Sequence, residues 1–214
     1  MDHFLEIAQP HTLHVVTGAM KGGKTLEFIH RLHQAEFRRI PVQAFRPNSD
    51  DRPEINGPGS IGSRGLGVPV EYPAILVPDN DPYMIFDGLT IEPFGIVGIE
   101  EVHLFDNLTG LVEVVLELRD RGFAVLACGL DRNYRGEPYD PLPELMAYAT
   151  TVSKHFGSCT HPEGPEDVCG RKAEFTQRFD DGEPAHYGGA TKVVGDQQYV
   201  PRCFRHHIVP GKPR

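Results

Sequence analysis

Apolar positions along the chain fall into short continuous runs separated by stretches with helical spacing. Residues 13–17 (LHVVT) form a β-branched apolar run that predicts a buried strand. A glycine-rich turn follows over 18–23. From 25 to 38, apolar residues recur at Leu26, Phe28, Ile29, Leu32 and Phe37, roughly one stripe of a helix. Residues 42–45 predict a second strand, 95–99 a third and 123–128 (FAVLAC) a fourth. Between the last two, Leu111, Val114, Val115 and Leu118 give a helical stripe over 108–121, which Gly122 ends. Strands alternating with helices of this length imply an α/β fold, a parallel sheet with helices packed on it. Residues 46–93 break the pattern. They are rich in Gly, Pro and Asp, with strand-like pieces only at 68–72 and 74–77, so long loops are expected there. From 151 onward, cysteine, histidine and glycine replace continuous apolar sequence. The expected organisation is an α/β domain over 1–150 and a small lobe over 151–214.

Composition adds exclusions. With 39% hydrophobic and 24% charged residues, the 214-residue chain has the balance of a globular protein with a real core. A net charge of −9 argues against a general nucleic-acid or anionic-membrane surface. No apolar run approaches the roughly 20 residues of a membrane helix. The first residues, Met1 to Glu6, are acidic and lack the basic region of a secretory signal. With four cysteines and no such signal, reduced thiols or a bound metal are expected, in the cytoplasm.

The turn after the first strand carries chemistry. Gly18, Ala19, Met20, Lys21, Gly22, Gly23, Lys24 and Thr25 fit G-x-x-x-x-G-K-[ST]. Glycines there let the backbone curl so that its N–H groups cradle phosphate oxygens, and the helix beyond presents its positive dipole end. Lys24 is expected on the β- and γ-phosphates of ATP and the Thr25 hydroxyl on Mg²⁺. The motif lies between a predicted strand and a predicted helix, so residues 1–150 are expected to be a P-loop nucleotide-binding domain. A P-loop enzyme needs an acid near its metal at a strand end. Glu100-Glu101 stands where the third strand stops, and adjacent residues there point to different sides. One carboxylate can face the Mg²⁺ shell and the other an incoming nucleophile.

The small lobe offers Cys159, Cys169, Cys203 and His206, three thiols and an imidazole, the donor set of a structural zinc site. Such a metal can stabilise a lobe too small to build its own core. His161, two positions after Cys159, competes as a ligand. Cys128 sits in a core strand and reads as a small buried hydrophobe.

In this order, the pieces resemble type II thymidine kinases, over about residues 13–207. Phe45-Arg46-Pro47 with Asp50-Asp51-Arg52 looks like one family segment. Ile99-Glu100-Glu101-Val102-His103-Leu104-Phe105 looks like another, Gly129-Leu130-Asp131 through Tyr134-Arg135-Gly136 to Pro138-Tyr139 a third, and Thr176-Gln177-Arg178 a fourth. Val194-Gly195 through Tyr199 to Cys203 and His206 looks like the family's lasso loop and last zinc ligands. The resemblance implies a RecA-like P-loop core, a zinc-anchored lasso over the nucleoside, and a homotetramer. It implies phosphoryl transfer from ATP to thymidine. Carried over by position, Glu101 is the general base and Glu100 the metal-side acid, and Asp50 and Arg52 lie near the phosphates. Met20, Leu130, Tyr134, Thr176, Val194 and Tyr199 surround the nucleoside. The sequence departs from the family in Glu100 for aspartate, His103 for glutamine, Leu104 for an aromatic, and an insertion between Cys159 and Cys169. Two readings compete with a kinase: a P-loop ATPase without a small-molecule acceptor, and a non-catalytic zinc- and nucleotide-binding homologue.

Overall fold

The computed structural model describes residues 8–50, 59–63, 70–193 and 198–213. The chain opens with β1 (Thr12–Gly18), α1 (Lys24–Phe37) and β2 (Val42–Pro47). An antiparallel hairpin follows, β3 (Ser60–Ser63) with β4 (Val70–Pro73), then β5 (Ile75–Val77) and the short α2 (Met84–Gly88). The strand β6 (Ile96–Ile99) leads into a 3₁₀ turn at Val102–Leu104, then α3 (Leu108–Asp120), β7 (Ala124–Gly129), α4 (Leu142–Tyr148) and β8 (Thr151–His155). Five short strands make the rest: β9 (Gly157–Ser158), β10 (Lys172–Ala173), β11 (Phe175–Asp180), β12 (Glu183–Pro184) and β13 (Tyr199–Arg202).

Among the described residues the main sheet has six parallel strands in the order β5-β2-β6-β7-β1-β8. Alternation along each strand sorts its side chains to two faces. Leu13 and Val15 of β1, with Val125 and Ala127 of β7, meet Leu111, Val114, Val115 and Leu118 of α3 and Leu142 and Leu145 of α4. Val16, Leu126 and Cys128 face the other way, onto Phe28, Ile29 and Leu32 of α1, and the hairpin adds Ile61 and Tyr72. Each large side chain buried this way contributes about 1.5–3 kcal/mol. Gly98 lets α1 come close: a Cβ there would lie 2.8 Å from Phe28 Cζ.

The predicted strands and both predicted helices are present, with differences that have physical causes. Phe37 belongs to the predicted helical stripe, yet it is 91% exposed. At 100° per residue it stands about 140° round the helix from Leu32, and Ala35 takes the buried position instead. Residues 46–93 hold more structure than loops: the strand-like piece at 74–77 supplies β5, an edge of the main sheet. Residues 51–58 and 64–69 lie outside the description. The strand β8 pairs with β1 along His14–Gly18 and so extends the main sheet past residue 150. As the other edge of the sheet it leaves Val152 44% exposed, and its sequence TVSKH carries no apolar run to announce a strand.

Candidate active site

In a parallel sheet, loops leaving the carboxyl ends of the strands gather along one edge. Here that edge collects the turn after β1, residues 48–50 after β2, Glu100-Glu101 after β6 and residues 130–134 after β7. Gly18 adopts φ +132, and a Cβ on it would lie 1.9 Å from His155 O, so no side chain fits where β1 passes β8. Gly23, at φ +86, turns the chain into α1. Lys24 is buried and donates to Ala19 O at 3.0 Å. The Thr25 hydroxyl donates to Glu100 Oε1 at 2.7 Å. Burial lowers the His155 imidazole below its ordinary value; Arg31 and Lys24 add to this against Glu27.

Glu100 is fully buried, and its backbone N–H donates to Phe45 O at 2.9 Å. The chain then turns through a left-handed residue, Glu101 (φ 49, ψ 44). The turn separates the two carboxylates: Glu100 reaches the P-loop threonine, while Glu101 lines a pocket on the other side. Asp50, also fully buried, lines the same pocket, and its side chain lies 3.6 Å from Arg46. Arg52 falls outside the described residues.

The pocket spans about 530 Å³ including its open mouth. Met20, Leu130, Tyr134, Thr176 and Tyr199 line it, as their sequence positions suggested; Val194 lies outside the description. The Met20 N–H donates to Thr176 Oγ1 at 3.0 Å, so the P-loop touches the small lobe directly. From residues 186–193, Thr191 and Val193 reach the pocket, and that segment is tied down at several points. The Tyr134 hydroxyl donates to His186 O at 2.7 Å and Tyr199 to Val193 O at 2.7 Å. Arg135 donates to Gly189 O at 2.8 Å. Arg178 lies over the Tyr134 ring at 4.1 Å and pairs with Asp180. His103, Leu104, Asn133, Tyr139, Thr191 and Val193 complete the lining. The Leu130 N–H donates to His103 Nδ1 at 3.2 Å, and Glu101 Oε2 lies 3.4 Å from that nitrogen. Burial, then the charges of Tyr199 and Glu101, push the Tyr139 hydroxyl up to about 12.

In the small lobe, the ligand atoms of Cys159, Cys169, Cys203 and His206 all lie within 4.8 Å of one another. Cys159 Sγ is 3.5 Å and Cys203 Sγ 3.6 Å from His206 Nδ1, and the Cys169 and Cys203 sulfurs are 3.9 Å apart. Tetrahedral zinc with its usual bond lengths demands about 3.8 Å between sulfurs and about 3.5 Å from sulfur to nitrogen. The donor set and its spacing fit the ion. His161, the competing ligand, stacks on the His206 ring at 3.9 Å between centroids and braces it. Burial opposes ionisation of Cys203, but backbone N–H groups of Arg205 and His206 and the neighbouring cysteine side chains outweigh it and hold the thiol below its ordinary value.

A family model described as thymidine kinase matches residues 11–207, a span holding the phosphate loop, the pocket and all four clustered ligands. The chain belongs to the thymidine kinase family. Among curated relatives, the thymidine kinase of Mycoplasmoides gallisepticum (strain R(low / passage 15 / clone 2)) is 32% identical over 202 residues, covering 94% of this chain and 83% of the relative. That of Ureaplasma urealyticum serovar 10 (strain ATCC 33699 / Western) is 33% identical over 202 residues, covering 94% and 84%.

For this family member, the pocket residues not singled out as ligand contacts come from the 3₁₀ turn and from loops. His103 and Leu104 stood out in the sequence only as departures from the family pattern. Tyr139 closed a recognised segment, and its role emerges only because residues 130–139 fold back through Tyr139 N–H to Asp131 O at 3.0 Å. Thr191 and Val193 gave no sequence signal: they act through position in a backbone loop, which no residue type announces.

Proposed function

We propose that the chain transfers the γ-phosphate of ATP to the 5′-hydroxyl of thymidine or deoxyuridine. The observation that carries this reading is the split at the end of β6. Glu100 contacts Thr25 of the P-loop, and Glu101, one residue on, faces the pocket lined by Met20, Tyr134 and Tyr199. Phosphoryl transfer needs positioning and charge neutralisation more than covalent chemistry. Gly18 to Thr25 hold the triphosphate, with Asp50 and Arg52 near the phosphates. Thr25 and Glu100 would hold Mg²⁺, which when bound neutralises charge on the β- and γ-oxygens. Glu101 accepts the proton of the 5′-hydroxyl as the new bond forms. Met20, Leu130, Tyr134, Thr176, Val194 and Tyr199 surround the nucleoside, and backbone groups of the lasso read the thymine edge. Residues 1–150 with β8 form the nucleotide-binding unit, and the rest of 151–214 forms the zinc-binding lobe. The assembly is a homotetramer in the cytoplasm, as the family resemblance implies.

A radiolabelled phosphotransfer assay over a nucleoside panel tests this. Thymidine and deoxyuridine should be phosphorylated and purine nucleosides refused, since a second ring overpacks a pocket built for one. Preferred turnover of deoxyadenosine or deoxyguanosine rejects the substrate assignment. ATP hydrolysis indifferent to added nucleoside would instead favour a plain ATPase, and ATP binding without any turnover a non-catalytic homologue.

A further inference from the structure

Asp79 lies just beyond β5, and its side chain is 16% exposed. Its two carboxylate oxygens serve different segments. Oδ1 accepts the Ser49 backbone N–H at 3.0 Å, in the turn that carries Asp50 away from β2. Oδ2 lies 3.5 Å from Lys192 Nζ. The Asp79 backbone carbonyl accepts the Asp106 N–H at 2.8 Å. Lys192 also donates to Leu104 O and, at 2.8 Å, to the Asp106 carboxylate. Segments far apart in sequence thus meet at one acid. Asp50 on one side of the junction, and Thr191 and Val193 on the other, line the same pocket.

Lys192 sits between Thr191 and Val193, so holding its ammonium fixes both. Their carbonyls are in turn held by Tyr139 at 3.3 Å and Tyr199 at 2.7 Å. A carboxylate bound to a backbone N–H through one oxygen and to a cation through the other cannot shift without disturbing both partners. We propose that Asp79 is a positioning residue that couples the 48–50 turn on the phosphate side to the 191–193 wall of the pocket. Nucleotide on the P-loop side and pyrimidine nucleoside in the pocket then strengthen each other's binding. The coupling rests on the pocket being the nucleoside site and on Asp50 lying near the phosphates, both as proposed above, and it is reciprocal by linkage.

The test measures thymidine affinity of the full-length protein by calorimetry, with and without AMP-PNP. Wild type should bind thymidine roughly 5- to 10-fold more tightly with AMP-PNP, within the usual range of couplings. In Asp79→Ala and in Lys192→Met that factor should fall close to one. The double variant should lose nothing more, because both residues belong to one interaction. Asp79→Asn keeps an acceptor for Ser49 and is the variant to use if the alanine folds poorly; it should show the same loss through Lys192 alone. A second readout is hydrogen exchange at residues 191–193, which AMP-PNP should slow in wild type and not in the Asp79 variants. That arm needs no nucleoside. If wild type fails to bind thymidine, the pocket reading is rejected, and exchange still judges Asp79. Full coupling retained in both single variants, or exchange at 191–193 slowed equally with and without Asp79, overturns the proposal.

Discussion

Glu100 and Glu101 share a chemistry and differ only in where the backbone sends them. Glu100 directly follows β6, is fully buried and accepts from Thr25 Oγ1 at 2.7 Å. Glu101, in left-handed backbone, turns its carboxylate to the pocket beside His103. Glutamine at either position keeps the shape and an acceptor oxygen while removing the charge. Glu101→Gln should therefore lower kcat by roughly 10²- to 10⁴-fold, the usual worth of a positioned base, with little change in ATP affinity. Glu100→Gln keeps an acceptor for Thr25 but weakens the metal shell. Its defect should appear in Mg²⁺ dependence and be partly relieved by more Mg²⁺. Steady-state kinetics of both variants across a Mg²⁺ titration decide the roles. They are reversed if the rescue belongs to Glu101→Gln, and neither is assigned correctly if both variants keep full activity.

Among elements, α1 matters most, since it carries Lys24 and Thr25 at its start and packs across the sheet through Phe28, Ile29 and Leu32. Phe28 is fully buried over Gly98, where no side chain intervenes. Truncating it leaves a cavity that a sheet cannot collapse to fill. Phe28→Ala should cost about 3–5 kcal/mol of stability in denaturant unfolding; a loss under about 1 kcal/mol would mean that α1 is not seated as described. The same packing explains what the sequence disclosed. The strands β1, β2, β6 and β7 and the helices α1 and α3 bury whole faces, so their apolar periodicity was legible. The edge strand β8 buries none of its five residues fully, and Val152 is its one strongly apolar residue. The strand-like piece at 68–72 overlaps β4, whereas β3 and the short α4 owe their place to tertiary contacts that no local pattern records. In the site, the P-loop and the Cys203/His206 pair were legible because their chemistry fixes their spacing. Cys159 and Cys169 stand ten positions apart, and they converge because Cys169 N–H donates to His161 O and Gly170 N–H to Cys159 O, closing the loop between them.

Across the whole molecule, the two parts differ in how they are held together. The sheet and its helices bury two large apolar clusters, one on each face. Among the described residues the small lobe has two clusters of three buried residues: Ala185 and Tyr199 with Tyr134 of the sheet part, and Cys159, Ala173 and Cys203. The second contains two of the four clustered Cys/His side chains whose spacing fits zinc, so the apolar core of the lobe and that cluster are nearly one object. A lobe of this kind depends on the metal for folding free energy that its core cannot supply. The protein should carry about one zinc per chain through purification, measured by atomic emission. Cys169→Ser should lose that zinc, whereas His161→Ala should retain it, because His161 stacks on His206 and is not among the four converging ligands. Chelation should speed hydrogen exchange over residues 157–207 while residues 12–18 and 124–129, in the centre of the sheet, stay protected. Since β11 and β13 of this lobe carry Thr176 and Tyr199 into the pocket, thymidine binding should fail before ATP binding does. Uniform loss of protection across both parts on chelation would show that the metal holds the whole fold rather than the lobe. A folded, active preparation without zinc would remove the metal from the account altogether.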